Sequence, residues 1–96
     1  MSSKEAYQQK IEAELELVQA KLAEFKARAK GLTADARIRH AAQIDDLEQK
    51  VDTTKAKLKE LGEAGEANWE QLKDGVEHIW GTLQSTLHDT VSKFKD

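Results

Sequence analysis

Cysteine and proline are absent from this 96-residue chain, and aromatic residues number five. The lack of cysteine excludes disulfides, thiolate metal ligands and redox thiols. The lack of proline leaves no residue that breaks a helix by sterics alone. No run approaches the roughly 18 consecutive apolar residues of a membrane span. The opening MSSKEAYQQK has no apolar core of a secretion leader, so the expectation is a cytoplasmic protein. Neither sign of charge dominates: 15 basic and 18 acidic residues are mixed throughout, for a net charge of −3. Nucleic acid needs a clustered basic face, and none is present.

What remains is rich in Ala, Glu, Lys, Leu and Gln, the composition of long helices and coiled coils. One domain spanning 1–96 is expected, with little material for a compact core. Ser2-Ser3-Lys4-Glu5 fits a capping box, so helix should begin almost at once. The densest breaker cluster is Gly62-Glu63-Ala64-Gly65. Gly62 is expected to end a helix in the left-handed conformation, with Lys55, Lys57 and Lys59 near its negative end and Glu66 opening the next helix.

Gly31 is a second possible break, because Thr33 could cap a new helix. The phase of the apolar stripe argues for continuity instead. At about 100° per residue, Leu15, Val18, Leu22, Phe25 and Leu32 all lie within about 60° of Ile11. On the same unbroken count Ile44, Leu47, Val51, Leu58 and Leu61 return to that arc. One interior glycine costs only about 1 kcal/mol relative to alanine. The spacing therefore predicts one helix over about 3–61, roughly 90 Å long, a turn at 62–65 and a second helix over about 66–95. The fold expected is all-α, a long coiled-coil helix with the second helix folded back as a hairpin, oligomerising into a bundle. The alternative is a compact antiparallel three-helix bundle turning at Gly31.

The last third carries a different rhythm. Trp69, Trp80 and Val91 recur every eleven residues, followed in step by Leu72, Leu83 and Phe94, with Val76 and Leu87 completing the series. Eleven residues make three turns almost without drift, so these side chains share an arc of about 120°. Gln71, His78, Ser85, Asp89 and Ser92 occupy the other face. Such a helix needs a surface, either protein or lipid. Residues 66–96 hold six acids against three lysines. Helices that lie on anionic lipid favour a basic polar face, so protein is the favoured surface.

The run KAKLKELGEAGEANWEQLKDGVEHIWGTLQ, with KEAYQQKIEAEL and ADARIRHAAQIDDLEQK before it, resembles small bacterial coiled-coil proteins of uncharacterised function. More loosely, the chain is similar to late-embryogenesis-abundant-like and apolipoprotein-like amphipathic repeats. The resemblance implies an all-helical, non-enzymatic protein of a kind sometimes linked with stress, and carries no functional residues.

Chemistry finds little footing. Asp74 and His78 share a helical face, but two ligands fall short of the three or four of a zinc centre. His88 lies about 80° away from His78. His40 falls near the stripe and reads as a seam residue. Asp45-Asp46 and Glu12, Glu14, Glu16 read as a solvated face, since acid catalysis needs a desolvating cleft and calcium needs converging oxygens. Phosphate loops, serine elbows and HExxH are absent. The expectation is no catalytic residue, no cofactor and no metal.

Length then suggests a partner. A helix of about 30 residues covers half of a 90 Å one, leaving Ile11, Leu15, Val18, Leu22 and Phe25 without an intrachain surface. These five are the expected self-association seam of a homo-oligomer, most simply a dimer, with an unknown protein as a further possible partner. Trp69, Leu72, Val76, Trp80, Leu83, Leu87, Val91 and Phe94 are the expected packing face of the last helix. The leading function is a structural or interaction module, and the alternative is a protein that coats a lipid or granule surface.

Overall fold

The computed structural model describes residues 3–95, with side chains through residue 93. It is all-helical: α1 runs Ser3–Lys30, α2 Ala34–Glu63 and α3 Trp69–Lys95. No strand occurs among the described residues. None of their helices is long and apolar enough to cross a membrane. α2 runs antiparallel to both neighbours and packs on each, while direct contact between α1 and α3 is sparse. The molecule measures 51 × 19 × 18 Å. A continuous helix of 61 residues would need roughly 90 Å.

The uninterrupted helix expected over 3–61 is therefore divided at residues 31–33. The reason lies in the relative size of two effects. Breaking the helix forgoes a few backbone bonds, and Thr33 recovers part of that by accepting the Ala36 amide on its hydroxyl at 3.3 Å, an N-cap contributing typically about 1 kcal/mol. Folding back buries Ile11, Leu15, Val18, Leu22 and Phe25 against Ile44, Leu47, Val51, Leu58 and Leu61. Each such side chain gains about 1.5–3 kcal/mol on leaving water, so burial outweighs helical continuity. The shared phase of the two rows is real, but it does not require a straight helix.

The second turn also departs from expectation. Gly62 lies inside α2, the C-cap is Ala64 (φ −73°, ψ 146°), and no described residue has a positive φ. The left-handed glycine cap is replaced by a long-range one. Lys4 Nζ donates to the carbonyls of Gly62 (3.3 Å) and Ala64 (2.9 Å), filling acceptors that a helix end leaves open. Glycine at 62 serves close approach instead, for a Cβ there would stand 2.7 Å from Gln8 Nε2. Residues 66–68 form a turn closed by Asn68 N–H and Trp69 N–H donating to the Gly65 carbonyl, so α3 starts three residues later than expected. Ser2 of the expected capping box lies outside the described residues.

The core runs the length of the bundle and includes two threonines. Thr54 and Thr90 are buried. Their hydroxyls donate to the carbonyls of Lys50 and Thr86, both at 2.8 Å. This back-bonding satisfies each hydroxyl within its own helix. The surface carries the helical ion pairs Asp46–Lys50 at 2.6 Å and Glu24–Arg28 at 4.0 Å.

Candidate functional site

All five residues of the expected self-association seam are buried within the chain's own core. Ile11, Leu15, Val18, Leu22 and Phe25 are at most 8% exposed, and Phe25 is fully covered. The length argument for an exposed row fails because the turn at 31–33 brings α1 alongside α2. On α3, Trp69, Val76, Trp80 and Leu83 are buried, while Leu72, Leu87 and Val91 pack half-buried against the core. The side chain of Phe94 lies outside the described residues. The eleven-residue rhythm thus serves an intrachain seam, with its two tryptophans as the largest side chains committed to it.

One end of the bundle concentrates groups that sequence reading passed over. Tyr7 of α1 meets Trp69 of α3 with ring centroids 6.3 Å apart. Lys73 Nζ sits 5.1 Å from the Tyr7 ring and 5.9 Å from that of Trp69, within cation–π range of both. The Tyr7 hydroxyl is buried without a hydrogen bond of good geometry and faces Glu77. Burial first, then the Glu77, Glu14 and Asp74 carboxylates, push its pKa well above the usual tyrosine range. Together with Lys4 and Gln8, this cluster ties the start of α1 to the α2–α3 turn. Tyr7 was legible in part, lying four residues before Ile11 on the same stripe. Lys4 gave no local signal, since its partners lie 58 and 60 positions along the chain, and Lys73 was legible only toward Trp69, four residues before it on α3.

At the other end Arg39, His40, Gln43 and Lys93 border an open recess of about 400 Å³. Arg39 and Lys93 are exposed there, and His40 and Gln43 are half-buried. The other recesses are shallow grooves along the helix seams, edged by charged side chains such as Glu48, Asp52 and Lys55. Asp74, His78 and His88 are exposed on α3. Among the described residues no three His, Asp or Glu side chains converge to hold one ion. Among the described residues Leu17 and Ile38 are the large apolar side chains left in water, 72% and 73% exposed. They stand on different helices, and neither carries a functional assignment.

Comparison with protein-family models, with curated proteins and with solved structures found no match for this chain.

Proposed function

We propose that the chain is a non-enzymatic structural and interaction module that associates with itself through its helical seams. The resemblance of its sequence to stress-linked coiled-coil proteins extends the proposal to a stress-related role in the cytoplasm. One observation supports the structural reading most: the buried apolar side chains of α1 and α3 are spent on helix–helix packing within the chain rather than on lining a pocket. Among the described residues the recesses between the helices are open and edged by charge, without the enclosed apolar pocket that small-molecule chemistry favours. The partner proposed is a second copy in a two-fold dimer, the commonest closed arrangement. Sedimentation equilibrium at micromolar concentration tests this, and a mass at or above twice 10.8 kDa is the expected result.

A second reading, a coat on lipid or granule surfaces, draws on the amphipathic face of α3, which continues over 27 residues. That face is turned inward, so coating requires α3 to leave α2. Flotation with neutral and anionic vesicles separates the readings: a soluble module stays at the bottom of the gradient, and a coat rises with the lipid.

A further inference from the structure

We infer that the face of α2 and α3 that seats α1 is also the docking surface for α1 of a second copy, reached when residues 31–33 straighten and α1 and α2 merge into one helix. The inference rests on the self-association proposed above and supplies its geometry.

Three observations carry it. The first is the phase of the apolar rows. In the folded-back chain the turn, not the helical count, sets how α2 faces α1. Nothing in the compact form asks the row from Ile11 to Leu32 and the row from Ile44 to Leu61 to coincide on an unbroken count, yet both fall within about 60° of one line. A continuous helix from Ser3 to Glu63 requires that coincidence if its halves are to present one seam.

The second is the hinge. Its hydrogen bonds are short-range, from Gly31 N–H to the Arg28 carbonyl (3.0 Å), from Leu32 N–H to the Ala29 carbonyl (3.2 Å), and the Thr33 cap. No positive φ locks it, and a Cβ on Gly31 would meet only the Arg28 oxygen, at 3.6 Å. Thr33 already has a helical φ of −62° and leaves the helix through its ψ of 161°.

The third is register. Gln8 lies against Gly62 and Lys26 pairs with Glu48, which centres the α1–α2 pairing on residues 35 to 37, just past the hinge. Two straightened chains, antiparallel about a two-fold axis there, would place each α1 on the other's α2 in the register one chain already uses. Ile11, Leu15, Val18, Leu22 and Phe25 would regain the same surroundings, and Lys26–Glu48 would form between chains. Because the core is preserved, exchange costs little beyond association itself, which makes it a low-cost route to a dimer.

The test uses the full chain and two variants, with mass measured across concentration. Gly31→Ala favours the merged helix in both chains beyond the smaller gain it brings the compact turn, and should tighten the dimer by up to about tenfold. Ala34→Pro suits the turn, because proline fits the first helical position and the residue before it, Thr33, is already extended. Inside a merged helix it should weaken the dimer by on the order of 10⁴-fold. A zero-length carbodiimide link between Lys26 and Glu48 in mixed isotopically light and heavy wild-type chains should join light to heavy. That readout does not depend on either variant folding. A dimer that survives Ala34→Pro, with Lys26–Glu48 links only within chains, overturns exchange and leaves self-association standing. A chain monomeric throughout, Gly31→Ala included, overturns both.

Discussion

The two turns reverse the chain by different means. At 31–33 the cap is local: Thr33 accepts from Ala36, three residues on. At 64–68 the ties are long-range: Lys4 reaches across 58 and 60 positions to two carbonyls, Gln8 lies against Gly62, and Tyr7 meets Trp69. The first turn carries no long-range tie of its own, so what keeps it bent is the packing of α1 on α2. A turn held by another helix cannot open until that helix leaves. The glycine-rich turn, which composition marks as the looser of the two, is the one fastened by tertiary contacts.

The strongest way to break this contrast is to remove the packing that enforces both turns. Leu22→Glu places a charge in the core at a position only 8% exposed. An isolated buried charge is costly, and single domains hold only about 5–15 kcal/mol in reserve. The expected outcome is loss of cooperative unfolding and of most helical circular dichroism. A folded Leu22→Glu chain would mean that α1 does not pack as described.

Cutting one turn at a time sharpens the comparison. Lys4→Ala removes two hydrogen bonds from a cation to part-buried carbonyls and should cost about 1–3 kcal/mol in urea unfolding. Amide exchange should rise across 64–68 and stay unchanged at 31–33. Thr33→Ala should cost about 1 kcal/mol, with the exchange response confined to the first turn. If both substitutions loosen both turns equally, the distinction between local and long-range fastening fails.

Tyr7 makes the second turn sensitive to alkali. It is the chain's one tyrosine, so tyrosinate absorbance reports it alone. Its folded-state pKa is raised by burial and by Glu77, so the folded form holds the phenol proton more tightly than the unfolded form. That contribution to stability is fully present below pH of about 10, the unfolded value, and is lost as pH rises toward the higher folded value. Tyrosinate should appear in the folded protein only above the ordinary range and near pH 10 in urea. Tyr7→Phe should flatten this part of the stability profile.

The smallest effects come from the glycines. Gly31→Ala should stabilise the folded chain by about 0.4–1 kcal/mol, since its φ is not positive and a Cβ there finds room. Gly62→Ala should gain less, because the new methyl displaces Gln8, whose Nε2 donates to Glu12. Matched urea midpoints for the two variants would remove the assigned role of Gly62 as a point of close approach.

Much of this was readable residue by residue. The rows of α1 and α2 and the inward face of α3 follow from helical phase, and Ile11, Leu47, Val76 and Trp80 are buried where their spacing places them. Thr54 and Thr90 were missed because a hydroxyl satisfied by its own helix leaves no mark in an apolar pattern. The end cluster was missed because Lys4 and Tyr7 of α1 reach the α2–α3 turn, Trp69 and Lys73 only after two reversals of the chain.

By itself, the sequence determined that the chain is helical, which side of each helix is apolar, and where Thr33 could start a new helix. These follow from propensity, periodicity and capping, which act over a few residues. Tertiary structure alone decided that the helix turns at 31–33, that Gly62 stays within α2, and that the Ile11–Phe25 row finds its cover inside its own chain. Local preferences at those positions differ by about 1 kcal/mol. Burying a row of large apolar side chains contributes several times that, so the local choice follows the packing.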